Sequence, residues 1–205
     1  HTGIWPGMLL SADLPLPKKV IVHGFITADG QKMSKSLGNV ISPLELRKKY
    51  ETDTIRYFLL RTIPFGEDGD FSEEKMKNRH NDELANKLGN LVSRVSTLAE
   101  KYGIEKTTTK IESTEIIKNI NNSMKEYHLD KALNWIFTYI DKVNEFIQES
   151  KPWVTKDAKT LYEAVFAIRN ISLLLNPFMP DTSNKIAKTF NFKIALKELD
   201  NPLKS

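Results

Sequence analysis

Residues 84–103 read LANKLGNLVSRVSTLAEKYG. Leu84, Leu88, Leu91, Val95 and Leu98 step by four, three, four and three, which lays one apolar stripe along a helix. Gly103 follows the run, at the position where helices accept a left-handed residue. A helix apolar on one side has to bury that side against neighbours, so the flanking sequence decides the fold. Downstream, Leu129, Leu133, Ile136, Ile140, Val143 and Ile147 repeat the spacing until Lys151-Pro152. A third stripe, Leu161, Val165, Ile168, Ser172 and Leu175, stops at Asn176-Pro177. The polar linker EKTTTK precedes a weaker helical pattern over 113–127, and a short helix after Pro180 leads into an amphipathic tail. From residue 72 to about 190 the pattern predicts an antiparallel helix bundle.

Upstream the texture changes. Residues 3–11 (GIWPGMLLS) look like the end of a helix and 13–18 (DLPLPK) like a loop. The β-branched run VIVHGFIT, 20–27, is short and bounded by turn residues, which predicts a buried strand. Asp29-Gly30 is a hairpin dipeptide. Ser42-Pro43-Leu44-Glu45 combines a capping box with proline at the first helical position. A further helix is expected over 53–62, ended by IPFGEDGDFS at 63–72 with its proline, two glycines and three acids. These first 70 residues read as the edge of an α/β domain whose other strands are not in the chain. Two architectures meet near residue 65.

Composition narrows the partners. The 205 residues suffice for one generous domain or two small ones. Thirty Lys and Arg against 26 acids give a net charge of +4, compatible with a polyanion without demanding one. With no cysteine, a disulfide framework and thiol chemistry are excluded. No apolar run approaches the length of a membrane span, so no membrane partner is expected. The chain opens on His1, directly into patterned sequence, and is read as a piece of a longer protein.

Residues 30–39, GQKMSKSLGN, place Lys32 and Lys35 three apart in a polar, turn-rich run. Two readings fit: a solvated surface loop, or a mobile loop whose ammonium groups reach phosphate oxygens, a task that suits lysine's compact charge and flexible stem. The run is not a Walker loop, since no Gly-Lys-Ser/Thr follows the required glycines. Asn90 and Arg94, four apart, share a helix face beside the Leu84–Leu98 stripe, so both can face solvent. Trp153 follows Pro152 where the chain turns. It is either a core residue or, with the amide and guanidinium, part of a site that stacks an unpaired base and reads its edge.

The exact strings go further. KMSKS after a strand, preceded by HGF and followed by LGN, resembles the second signature of the class I aminoacyl-tRNA synthetases. WPGMLL, LPLPKKVIVHGFIT, RYFLLRTIPFGEDGDFSEE, NLVSR and KPW together resemble the methionyl-tRNA synthetase family, over residues 1 to about 180. The resemblance implies a mostly α chain in three parts. Residues 1–41 would be the C-terminal edge of a Rossmann-type catalytic fold with its KMSKS loop, 42–71 a stem-contact segment and 72–205 an anticodon-binding bundle. It implies Lys35 as the main transition-state contact and Lys32 as a supporting phosphate contact. Met33, Ser34, His23 and Ile26 would lie beside ATP, although Met33 and Ile26 also read as simple packing and His23 as a strand-end histidine bonded to its neighbours. His1 and Trp5, in a segment that matches FHxxxWP, would line the methionine pocket, with Trp5 equally readable as core. NLVSR and KPW would read the anticodon CAU through Asn90, Arg94 and Trp153.

The implied partners are tRNA(Met), methionine, ATP with Mg2+, and an N-terminal portion carrying the HIGH-type histidines, on the same chain or another. Zinc is expected only in that portion, and none of the present residues is expected to bind metal. The chain alone is therefore expected to be inactive in a cytoplasmic or organellar ligase. Residues 52–56, TDTIR, depart from the family's A-D-A-L-R pattern in their small and apolar members. Arg56 reads as an ion-pair partner of Asp53 or as an RNA contact, and His80 and His128 are assigned no role. Two other readings remain beside this one: a synthetase for Ile, Leu or Val, against which Gly89 stands where those bundles carry tryptophan, and a non-catalytic tRNA-binding module.

Overall fold

The computed structural model describes residues 1–109 and 111–195; most of the expected amphipathic tail lies outside the described residues. Helix α1 (Ile4–Ser11) opens the chain, and strands β1 (Ile26–Ala28) and β2 (Gln31–Lys32) form a hairpin. Asp29 and Gly30 both take positive φ, 49° and 75°, so the short turn twists with its strands and delivers the lysine loop. Helices α2 (Pro43–Lys49) and α3 (Thr52–Thr62) then cross over to β3 (Gly69–Phe71). The sheet order is β2-β1-β3, with β1 antiparallel to β2 and parallel to β3 in the register Thr27↔Asp70. A parallel pair joined by helices is the unit an α/β edge is built from.

The strand expected over 20–27 is only three residues long and begins at Ile26. Val22 and Phe25 are 74% and 76% exposed. Among the described residues only β2 and β3 pair with β1, so the apolar run before Ile26 has no neighbouring strand to bury it. The strand β3, inside a stretch read only as a helix breaker, was missed because Gly69-Asp70-Phe71 carries no β-branched residue. The helix at Ser42-Pro43 forms as the sequence predicts, but Ser42 makes no side-chain cap bond; Glu45 instead takes Lys48 at 2.7 Å.

From Glu73 the chain is helical through α4 (Glu73–Arg79), an i→i+5 segment (His80–Gly89) and α5 (Asn90–Tyr102). Then come α6 (Thr114–Lys125), α7 (Leu129–Ser150), the single turn α8 (Pro152–Thr155), α9 (Ala158–Leu175) and α10 (Pro180–Thr189). Leu88, Leu91 and Val95 pack against Leu133, Ile136, Ile140 and Val143 of α7 and Ile168 and Ile171 of α9 in the main core. Helix α9 is buried on all sides from Thr160 to Leu175 and not on one stripe, because α5, α7 and α10 surround it.

A second core, Leu46, Ile55, Phe58, Phe71 and Met76, lies under the small sheet. Helix α3 serves both: Phe58 meets Phe71 edge-on at 5.5 Å, while Tyr57 turns to Phe137 of α7 at 5.2 Å. The Tyr57 hydroxyl donates to Glu83, which also takes Arg61 and Arg79 at 3.4 and 3.3 Å. Burial, with Glu83 beside it, pushes the Tyr57 hydroxyl well above the usual phenol range.

Candidate nucleic-acid interface and lysine loop

One face of α5 and the turn after α7 build a pocket of about 670 Å³, lined by Asn86, Asn90, Ser93, Arg94, Thr97, Leu98, Asn144 and Trp153. The three residues that the sequence singled out in the bundle are thus brought together. Asn90 is exposed on the first turn of α5. Arg94, one turn on, donates from Nη2 to Asn144 Oδ1 at 3.0 Å. Asn144 is held in turn by donating Nδ2 to the carbonyls of Ile140 and Lys87, at 3.1 and 3.4 Å. The Arg94 Nε–H is buried with no acceptor among the described residues, and desolvation lowers the guanidinium's pKa from its usual value. A fixed, partly desolvated fork with a donor to spare favours an incoming acceptor.

Trp153 is 37% exposed. Lys151 and Lys156 both adopt left-handed φ, 46° and 55°, and the buried Pro152 pins the turn between them. The Val154 and Thr155 amides donate back to the Lys151 carbonyl, at 2.8 and 3.0 Å. Such a turn fixes the indole at the pocket edge, half in water. Leu98, read from spacing as core, belongs instead to the pocket wall. Asn86, one turn before Asn90, and Thr97, one turn after Arg94 at i+3, carry a helical-spacing signal that the sequence reading passed over. Asn144 carried none, because its relation to Arg94 exists only once α5 and α7 pack.

In the lysine loop Lys32 and Lys35 are exposed, and neither has an ion pair or hydrogen bond from its ammonium among the described residues. The loop is braced from inside. Asn39 accepts from the Ser34 amide at 2.8 Å and donates to the Lys32 carbonyl at 3.1 Å. The Leu37 amide donates to Ser34 O at 3.2 Å, and Gly38 takes a φ of 67° to donate to Lys35 O. Two free cations on a closed polar turn have the charge and the reach that a phosphate group would call for.

His23 Nδ1 sits 2.8 Å from the Gly24 carbonyl, and His23 and Ile26 line a pocket of about 230 Å³ with Leu59, Ile63, Phe65 and Tyr127. A Cβ at Gly24 would run into the Glu67 backbone, which is why only glycine fits there. Met33 and Ser34 are half-buried in the loop, whereas His1 is exposed and Trp5 is 50% exposed. Helix α1 buries none of its residues, so Trp5 is not core among the described residues. No hydrogen bond or ring contact joins His1 or Trp5 to the loop among the described residues. Among the described residues no three His, Asp or Glu side chains converge on a metal-sized site, and the sequence has no cysteine.

Arg56 and Asp53 staple α3 to the bundle. Arg56 donates to the carbonyls of Phe178 and Pro177, at 2.9 and 3.0 Å, and Asp53 Oδ2 accepts the Thr182 amide in the first turn of α10 at 2.6 Å. His80 pairs with Thr54 through Nδ1 at 3.2 Å, and His128 stands edge-on to Phe65 with ring centroids 6.0 Å apart.

An α/β edge carrying a KMSKS loop and followed by a helix bundle is the order of parts that the resemblance to class I aminoacyl-tRNA synthetases implies, and comparison with known proteins places the chain in that class. The family model for tRNA synthetases class I (M) matches residues 1–96, and that for the anticodon-binding domain of tRNA ligase matches 111–202. The methionine–tRNA ligase of Caldanaerobacter subterraneus subsp. tengcongensis is 44% identical over 91% of this chain, and that of Thermotoga maritima 38% over 94%. Methionyl-tRNA synthetase of Mycobacterium tuberculosis in complex with methionyl-adenylate superposes with a TM-score of 0.88 at 28% identity, over the whole of this chain and 45% of that one. The chain belongs to the methionyl-tRNA synthetase family and corresponds to a C-terminal portion of it. It spans about a third of the length of those curated relatives, 32% and 34%.

Proposed function

We propose that this chain is the part of a methionine–tRNA ligase that closes two lysines over ATP and reads the CAU anticodon of tRNA(Met). The convergence of Asn90, Arg94 and Trp153 on one open pocket carries the reading. An unstacked base has two things to recognise, a π-face and a polar edge. The Trp153 ring meets the first, and the Asn90 amide and the Arg94 fork meet the second.

At the other end, the methionine carboxylate attacks the α-phosphorus of ATP and pyrophosphate departs. Charge grows on the phosphoryl oxygens as it does so. An ammonium that swings in with the loop stabilises that charge more than it stabilises bound ATP, which is the condition for catalysis. Lys35 takes this role and Lys32 supports the departing phosphates. Met33, Ser34, His23 and Ile26 lie on the nucleotide side, and His1 and Trp5 on the methionine side. Mg2+ comes with the nucleotide's own phosphates. Residues 1–41 act as the edge of the nucleotide fold, 42–71 as the stem-contact segment and 72–205 as the anticodon bundle. The uncovered apolar side chains Ile4, Met8, Leu10, Val22 and Phe25 suit a cover by the remainder of the catalytic fold, which carries the HIGH-type histidines. The setting is the cytoplasm or an organelle.

Filter binding of tRNA(Met), compared with the same tRNA bearing a changed anticodon and with an isoleucine tRNA, tests the reading. Preference for CAU supports it, and equal retention of all three contradicts it. For the lysines, Lys35→Ala in the complete enzyme lowers methionine-dependent ATP–pyrophosphate exchange about 100-fold, or ~3 kcal/mol.

A further inference from the structure

We infer that Asp70 is a positioning residue for the lysine loop, aiming Lys32 and Lys35 by holding the turn from which the loop springs; this rests on the reading of that loop as the ATP clamp. Asp70 stands opposite Thr27 in the parallel pairing of β1 with β3. Its Oδ1 accepts the Thr27 hydroxyl at 2.8 Å and the Gly30 amide at 2.7 Å, and its Oδ2 accepts Lys75 Nζ at 3.0 Å. One carboxylate thus grips the strand that enters the hairpin and the backbone of the turn itself. Among the described residues it is the one side chain from outside the hairpin that bonds to this turn.

Beyond the turn the side-chain braces of the loop among the described residues are its own, through Ser34, Ser36, Asn39 and the Lys32 carbonyl. A rigid loop on a hinged base moves as a lever, so the direction of both ammonium groups is set at residues 27–32. Lys75 lies in the first turn of α4, the start of the helical run that continues through the i→i+5 segment to Asn90. Asp70 therefore ties the lysine loop to the helix whose far end carries the base-reading pocket. Displacing a reacting group by about 1 Å is enough to cost on the order of 100-fold in rate, so a loosened base shows in the chemical step before it shows in the fold.

The test is a double-mutant cycle in the complete enzyme, read by methionine-dependent ATP–pyrophosphate exchange. Asp70→Ala lowers kcat about tenfold or more and leaves the KM for methionine and the affinity for tRNA unchanged. Asp70→Asn keeps an oxygen facing the Gly30 amide and restores most of the rate. Added to Lys35→Ala, Asp70→Ala costs little further, because it acts through a cation already removed. If Asp70→Ala does not fold, Thr27→Val removes one bond of the carboxylate and gives a smaller loss that is likewise non-additive with Lys35→Ala. Wild-type kcat in Asp70→Ala, or losses that multiply with Lys35→Ala, overturn the inference while the ATP clamp stands. A Lys35→Ala enzyme of normal rate overturns the clamp itself.

Discussion

At the scale of single residues, the pocket of Asn90, Arg94 and Trp153 rests on side chains with unequal freedom. Asn144 fixes the Arg94 fork at 3.0 Å, while Trp153 stands at the pocket edge with no partner that fixes its ring plane among the described residues. Trp153→Ala weakens tRNA(Met) binding by about 1–3 kcal/mol, the usual worth of one stacked base, with circular dichroism and melting temperature unchanged; unfolding would mark the indole as core. Asp70 gives a pH signature. Its bonds to the Gly30 amide, Thr27 and Lys75 hold its carboxyl down to about 2, against an ordinary 3.8. A depressed folded-state value means that the brace is fully present above 3.8 and is lost as pH falls through 2. In an NMR titration the Gly30 amide therefore stays fixed from neutrality to below pH 4 and moves only toward pH 2. Movement centred near 3.8 would remove the brace. Lys32, Lys35, Asn90, Arg94 and Trp153 could be picked out in the sequence because they lie in the short strings KMSKS, NLVSR and KPW, which resemble family signatures. Asn144 and Asp70 could not, since their partners lie 50 and 40 residues away.

At the scale of elements, periodicity carried the helices and failed at the sheet. The stripes at 129–147 and 161–175 each became one α-helix, because a 3.6-residue repeat is a strong signal over three turns or more, while the stripe at 84–98 is helical throughout but divided between the i→i+5 segment and α5. What the repeat could not tell was rank: α9 reads as one-sided yet is enclosed on all sides. The run at 20–27 has the composition of a buried strand, but a strand is made by its neighbours, and only Ile26–Ala28 has them. Helix α3 shows the same limit, since Asp53 and Arg56, three apart, invite an ion pair and instead bond to the start of α10 and to the turn between α9 and α10. Arg56→Ala accordingly lowers unfolding stability by about 1–2 kcal/mol in urea titrations and leaves tRNA affinity where it was. Weakened RNA binding without a stability change would make Arg56 an RNA contact. Leu133→Ala, in the middle of the main core, costs about 2–5 kcal/mol and reports on the bundle alone.

At the scale of the molecule, the lysine loop and the pocket of Asn90, Arg94 and Trp153 sit on two different cores joined by α3 and by the helical run from Glu73 to Tyr102. The apolar side chains Ile4, Met8, Val22 and Phe25 stand exposed on α1 and before β1, in the same part of the sequence as the lysine loop, whereas the bundle closes its main core around α9; on the proposed reading, the ATP side calls for a cover that the RNA side does not. On that division the chain alone gives no methionine-dependent ATP–pyrophosphate exchange, and sustained turnover would refute the division. The central claim is that Asn90, Arg94 and Trp153 together read an anticodon, and it is tested most directly by the dissociation constant of this chain for tRNA(Met) before and after the first anticodon base is changed from C to U. The account predicts that affinity falls by about tenfold or more, since a base edge that no longer matches leaves desolvated donors unpaired, and that this difference disappears in Arg94→Ala. Equal affinity for the two tRNAs would contradict it.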